Sequence, residues 1–331
     1  MPSHQLTPRA YPRITGEVSN AVLDVLCGQP IDQTALRVGM SPASLADAVN
    51  AFVAAGTDAL FRHQYRPNWV QFYVEFPAWH DAEQTAHEHL VPLLTDLEND
   101  TASMWWFIRK HPYWRLRVHT QDETRVRGKL STRLDDLVRA GHLRTWLPGQ
   151  YEPETAAFGG TVGMLTAHLL FASDSQHILN LQGLPELPLG RREISVLLCT
   201  IMMRAAGLEW GEQGDVWDCV IHEEGRNAEV SQEKINALVS SVRPLLLSDL
   251  SEDGPLLGIG GALFPIANWA AAFRLAGDSL KAGVATGDLE RSLRRILAYQ
   301  IIFHWNRTGL STGAQSALAL AARTAILDPS S

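Results

Sequence analysis

The chain reads as an α+β protein. A small split βαββαβ-like antiparallel sheet is followed by a mostly helical bundle, and a small tri-helical unit precedes both. Three observations carry this reading. Between residues 66 and 150, short aromatic-rich runs with period-two alternation frame segments of helical period. From about Gly160 onward, apolar residues recur at helical spacing between Gly and Pro breaks. Over 15–62, three short amphipathic stretches are separated by Gly28-Gln29-Pro30 and Gly39-Met40-Ser41.

Residues 1–14, with Pro2, Pro8 and Pro12, read as a flexible tail. In the 15–62 unit, Ser41 before Pro42 suits a helix N-cap with proline at N1, and Gly39 suits a left-handed C-cap. The pattern is that of a helix-turn-helix. Its second helix, Ser41 to Gly56, holds no Lys or Arg and carries Asp47. A DNA reader needs cations for phosphates and donors for base edges, so the unit reads as a packing or peptide-docking module, with no DNA partner.

The body, 66–331, divides into an α/β part (66–150) and a helical part (151–331). Strands are expected at Val70–Phe76, Met104–Arg109, Trp114–His119 and Leu143–Leu147, with a tight turn at Lys110-His111-Pro112. Asp81 opens a helix to about Leu97, and Thr120 to Ala140 forms another with a heavily charged face. Further helices are expected near 161–173, 190–207, 231–248, 264–281, 287–305 and 312–326. Gly225, Asp253-Gly254-Pro255 and Gly309 punctuate them.

Composition narrows the function classes. The 331 residues are 46% hydrophobic and 19% charged, enough to bury a large core. A net charge of −8 argues against a generic nucleic-acid binder. The odd cysteines Cys27, Cys199 and Cys219, none at C-x-x-C spacing, exclude a disulfide scaffold and a thiolate zinc site. No apolar h-region opens the chain and no run approaches 18 apolar residues, so a cytoplasmic protein with no membrane partner is expected. Gly258-Ile259-Gly260-Gly261 has Leu263 at the third glycine position of a dinucleotide loop, and Gly128-Lys129 lacks the rest of a P-loop. His87-Glu88-His89 puts its histidines two apart, on different helix faces, so they do not share a metal. No G-x-S-x-G elbow is present.

Three stretches place polar residues in apolar or aromatic surroundings. Trp105-Trp106-Phe107-Ile108-Arg109 is followed by Trp114-Arg115-Leu116-Arg117, whose arginines lie two apart and so share one sheet face. Such a pair is either a fork for carboxylates or a solvated strand face. Tyr151-Glu152-Pro153-Glu154 and Phe158-Gly159-Gly160 lie where the sheet passes into the helical part, a common place for a pocket. Glu154 there is an orienting carboxylate or a general base. Phe303-His304-Trp305-Asn306-Arg307-Thr308-Gly309 ends a long helix. His304 reads as an acid/base with anion-binding companions, or equally as a satisfied core histidine.

In this order the stretches resemble the thiopeptide-type bacteriocin biosynthesis domain, also the C-terminal part of lantibiotic dehydratases (the SpaB-type domain). The resemblance rests on WWFIRK…WRLRV, on YEPETAAFGG with Phe171-Ala172-Ser173-Asp174-Ser175, and on HWNRTGL, and it covers about 66–331. It implies modification of a leader-bearing ribosomal precursor peptide. One form is elimination of glutamate from glutamylated Ser or Thr, giving dehydroalanine or dehydrobutyrine. The other is pyridine formation by a formal aza-[4+2] cyclisation of two dehydroalanines with loss of leader. A non-catalytic peptide-binding partner of a dehydratase is a third reading. The family's R-L-R pair matches Arg115 and Arg117. Its Tyr, Glu and Gly-Gly positions match Tyr151, Glu154, Gly159 and Gly160. Its terminal His, Asn and Arg match His304, Asn306 and Arg307. Ala157 and Ile302 stand where the family has arginine and histidine. The resemblance implies His304, Glu154, Arg115 and Arg117 as catalytic, with Arg109, Tyr151, Trp305, Asn306 and Arg307 binding substrate. It implies no cofactor and no metal. Elimination also implies a separate glutamyl-tRNA-dependent glutamylating enzyme. A homodimer is left open. The basic face with Arg125, Lys129, Arg133 and Arg139 is a solvated face or a surface for an acidic leader.

Overall fold

The computed structural model describes residues 14–64, 68–223 and 231–328. Apart from Ile14, the expected tail lies outside them, as does the Gly225 turn. The chain divides into two compact units, 1–67 and 68–331.

In the first unit, α1 (Ile14–Leu26), α2 (Ile31–Arg37) and α3 (Pro42–Gln64) close around Ala21, Val22, Ala35 and Leu45. Ser41 caps α3: its Oγ accepts the Ser44 N–H at 3.1 Å. Gly39 takes a φ of 66°, the left-handed conformation that lets the chain reverse between α2 and α3. Asp24 and Arg37 form an ion pair between α1 and α2.

The second unit begins with the sheet. Strands β1 (Trp69–Glu75), β2 (Ala102–Lys110), β3 (Tyr113–Thr120) and β4 (Thr145–Gly149) lie in the order β2-β3-β1-β4, with every neighbour antiparallel. This is the split β-α-β-β-α-β arrangement that the strand–helix order predicts. Alternation separates two faces. One carries Val70, Phe72, Val74, Trp105, Phe107, Trp114, Leu116 and Val118, all buried. It packs on α4 (Ala82–Thr85), a π-helical turn Ala86–Leu90, α5 (Val91–Glu98) and α6 (Glu123–Arg139). In α6, Val126, Leu130 and Leu134 recur every four residues and make its buried stripe.

The other face carries Gln71, Tyr73, Trp106, Ile108, Arg115 and Arg117, joined by the register Trp106↔Arg117↔Gln71 and Ile108↔Arg115↔Tyr73. Helix α7 (Gly160–Asn180) covers part of it and shields the edge strand β2, where the Phe107 N–H donates to Ser175 Oγ at 3.1 Å. The remaining helices are α8 (Arg191–Ala205), α9 (Trp210–His222), α10 (Gln232–Leu247), α11 (Ala267–Thr286), α12 (Leu293–Thr308) and α13 (Thr312–Leu327). They form the bundle: α8 packs on α11, and α9 and α10 pack on α13.

Several boundaries move. The fourth strand is 145–149, and Leu143 is a core residue before it. Thr120 stays in β3, because Asp122 caps α6 by accepting the Arg125 N–H at 2.9 Å. Helix α7 continues to Asn180, and α12 begins at Leu293. Helix α9 is missing from the sequence reading, since Gly211 and Gly214 lower its propensity. A reciprocal capping box of Glu209 and Glu212 starts it. Gly214 sits where α13 crosses: a Cβ there would lie 2.6 Å from the Leu327 side chain. Among the described residues, no helix is long and apolar enough to cross a membrane.

Candidate functional site

The polar face of the sheet gathers four of the nine candidate residues: Arg115, Arg117, Tyr151 and Glu154. The first two project together because they occupy alternate positions of β3. Arg117 is nearly enclosed, at 7% exposure. Its Nε donates to Gln71 Oε1 at 2.7 Å, and its guanidinium carbon lies 4.2 Å from the Trp106 ring centre and 4.3 Å from that of Tyr151. Its two terminal nitrogens have no hydrogen-bond partner among the described residues. Burial lowers the guanidinium to about 10, partly offset by Tyr151 and Glu154, so it is charged at neutral pH. Arg115 is half-buried on the neighbouring row, 5.6 Å over the Tyr73 ring.

Tyr151 lies just beyond β4. Its Oη is 2.7 Å from Nε2 of His168, which α7 supplies from beneath. Trp69 packs at 4.7 Å from the His168 ring and Trp106 at 6.3 Å. Burial, then the neighbouring His119 and Arg117, pulls His168 down to about 3, so the imidazole is neutral. Burial pushes the Tyr151 phenol up, with Glu154 adding to this and Arg117 opposing it. Glu154 is exposed, and its charge acts on both Arg117 and Tyr151. The site is a patch of neutral and cationic hydrogen-bond donors on an aromatic floor, with one carboxylate at its rim.

The other five candidates, His304, Arg307, Trp305, Asn306 and Arg109, lie away from this face. His304 and Arg307 are both 0% exposed. Three apart on α12, they converge on Asp174 of α7: His304 Nδ1 lies 3.0 Å from each carboxylate oxygen, and Arg307 Nε donates at 2.7 Å. Trp269 Nε1 donates to the same carboxylate at 2.9 Å. Burial alone would raise Asp174, but His304 and Arg307 hold it below the usual carboxylate range. Arg307 rests 4.3 Å over Phe171, whose ring lies 4.8 Å from Trp106, so this network stands one aromatic layer behind Arg117. His304 is thus enclosed behind that layer. Trp305 is also fully buried; its indole N–H donates to Ser195 and its ring stacks on Trp217 at 5.7 Å. Asn306 accepts from Gln315 Nε2 at 3.0 Å near the end of α12.

Arg109 points to the opposite sheet face. It and Arg191 clamp Glu83, while Arg109 Nε donates to the Arg307 carbonyl at 2.7 Å and Arg191 Nη1 to the Thr308 carbonyl at 3.1 Å. The clamp closes the carboxyl end of α12. Glu83 is held below its ordinary value: burial raises it, and the hydrogen bonds and charges of the two arginines outweigh that. Glu83→Ala is expected to cost about 3 kcal/mol or more, because it leaves two partly buried cations without their carboxylate. Thermal unfolding followed by circular dichroism checks this, and an unchanged midpoint contradicts it.

The remaining sequence features play other parts. Arg125 and Lys129 pair with Asp100, and Arg139 with Asp136, while Lys129 and Arg133 line a groove of about 430 Å³ between α5 and α6. His89 stacks on His142 at 3.6 Å. No cluster of His, Cys, Asp or Glu suited to a metal occurs among the described residues. At Ala157, the backbone carbonyl accepts from Arg291 Nη1 at 2.8 Å. Ile302 is buried in the bundle core. Four further residues of these networks, Asp174, Ser175, Gln71 and His168, carry little signal of their own in the sequence. Asp174 and Ser175 stand in the quoted FASDS block, while Gln71 and His168 have no motif around them.

A family model described as "Lantibiotic biosynthesis dehydratase C-term" matches residues 69–326. No curated protein matches the chain. Among solved structures, the fold is similar to the tRNA-dependent lantibiotic dehydratase MibB from Microbispora sp. 107891, with TM-score 0.59 and 19% identity over 79% of this chain and 28% of that one. It is similar to TsrL, with TM-score 0.54 and 16% identity over 78% and 94%. It is also similar to TbtD, the pyridine synthase from thiomuracin biosynthesis, with TM-score 0.56 and 14% identity over 79% and 98%. The chain thus spans about a quarter of the dehydratase's length.

Proposed function

As the chain belongs to the lantibiotic biosynthesis dehydratase C-terminal family over 69–326, whose members modify ribosomal peptides, we propose that it eliminates glutamate from glutamylated Ser or Thr of a leader-bearing precursor. The observation that carries this is the pairing of Arg115 and Arg117 on one sheet face beside Tyr151 and Glu154. The Cα–H bond breaks, and its electron pair forms the Cα=Cβ double bond. The Cβ–O bond breaks, and glutamate leaves as its carboxylate. Glu154, the exposed carboxylate of the cluster, accepts the proton. Arg115 and Arg117 hold the anionic groups of the departing glutamate. A separate enzyme supplies the glutamyl ester.

A second reading is pyridine formation from two dehydroalanines. Specific observations favour it: Ala157 and Ile302 stand where the resemblance expects arginine and histidine, and His304 is enclosed. That reaction is mainly one of orientation, which an aromatic floor serves. Mass spectrometry of the purified protein with each peptide separates the readings. Loss of glutamate from a glutamylated precursor is the expected result. Loss of leader and water from a dehydroalanine-rich precursor establishes the second. Binding of leader or dehydratase with turnover of neither peptide moves the protein to an accessory role.

A further inference from the structure

We infer that Tyr151 is the electrophilic group of this site, donating a hydrogen bond to a substrate amide carbonyl as negative charge develops on its oxygen, and that His168 is its positioning residue. The inference rests on the peptide-modifying reading but not on the choice between elimination and cyclisation. Removing a Cα proton places charge on the neighbouring amide oxygen, and forming an aza-diene from a peptide requires the same carbonyl to be polarised.

The geometry supports the assignment in three ways. First, Tyr151 Oη has a single partner among the described residues, Nε2 of His168 at 2.7 Å, while the ring is half-exposed. A hydroxyl has one proton and two acceptor lone pairs, so an Nε2–H that donates to Oη leaves the phenol proton for the substrate. Second, His168 is 7% exposed and packed by Trp69, so its imidazole is held in place beneath the phenol. The imidazole stays neutral across physiological pH, and the phenol stays protonated, which is the state a donor requires. Third, Arg117 lies 4.3 Å from the Tyr151 ring with both terminal nitrogens unpartnered among the described residues, so a second, charged donor reaches the same side. Two fixed donors on an aromatic floor need little reorganisation when charge forms. The neutral His168 and the raised Tyr151 are poor bases, so proton removal falls to Glu154.

Two measurements test this. In the peptide assays, Tyr151→Phe is expected to lower kcat by about 10²–10³ with KM within threefold. His168→Leu is expected to do the same, and His168→Gln, which keeps a neutral donor, to recover most of the rate. Between pH 6 and pH 9 neither group contributes a limb to the profile. A Tyr151→Phe enzyme within threefold of wild type overturns the assignment. The second measurement needs no turnover: nitrogen-15 shifts of His168 in the intact protein report its tautomer. A neutral Nε2–H form at pH 7, lost contact with Oη in Tyr151→Phe, and a shift of the Tyr151 resonance on adding either peptide are expected. An Nδ1–H tautomer, or an unmoved Tyr151 resonance, overturns it. Wild-type protein that converts neither peptide, yet shows both signals, sinks the peptide-modifying reading and leaves the donor pair standing.

Discussion

Arg117→Ala is expected to lower kcat/KM on the protein's peptide substrate by about 10³ while the fold survives. Arg117 is positioned by one hydrogen bond to Gln71 and by stacking on Trp106 and Tyr151, and its two terminal nitrogens have no hydrogen-bond partner among the described residues. Removing it takes away a preformed donor, worth about 10²–10³ in kcat, together with a cation that draws an anionic group to the site. The stability cost is smaller, on the order of 1–2 kcal/mol of desolvated cation–π contact. Arg117→Lys is expected to rescue little, because an ammonium is a point charge that neither stacks as a plane nor forks. Arg115→Ala is expected to raise KM more than it lowers kcat, since Arg115 lies on the more open row over Tyr73. Steady-state rates beside unfolding curves separate these outcomes. Equal rates for wild type and Arg117→Ala would remove this face from the chemistry.

Asp174→Ala is expected to act on the fold instead. It leaves Arg307 as a fully buried cation and strips His304 and Trp269 of their acceptor. Breaking a buried pair in this way costs about 3–5 kcal/mol. For a chain of this size that lowers the unfolding midpoint by on the order of 10 °C. The pH dependence has a definite sign. Asp174 is held below its unfolded value, so its contribution is complete at neutral pH. It fades as pH falls below about 4 and through the depressed folded value. Wild type is therefore expected to lose stability in acid more steeply than the variant. An Asp174→Ala protein with an unchanged midpoint but no activity would return His304 to the chemistry.

These two cases show what the residues alone disclose. The Arg115-Leu116-Arg117 alternation fixes a shared face, because a strand has period two. The same arithmetic, with the β2–β3 register, sends Arg109 to the opposite face, where Glu83 and Arg191 await it. The order of strands and helices is enough to reach the sheet topology. The His304-to-Arg307 segment is ambiguous in the sequence for a physical reason. Two polar residues three apart on a helix share a side, and whether that side meets solvent or a carboxylate depends on Asp174, which lies far away in the chain. His168 has no motif around it and becomes visible only once Tyr151 is brought onto α7. Helix α9 is hidden by glycines whose purpose, the close crossing of α13 at Gly214, is a tertiary one.

On this reading the Arg115–Arg117–Tyr151 face carries out peptide chemistry. The most direct test is mass spectrometry of a glutamylated precursor peptide incubated with wild type and with Arg117→Ala at matched concentration. Loss of glutamate is expected with wild type, and an unchanged peptide with the variant. Equal conversion by both proteins would contradict it.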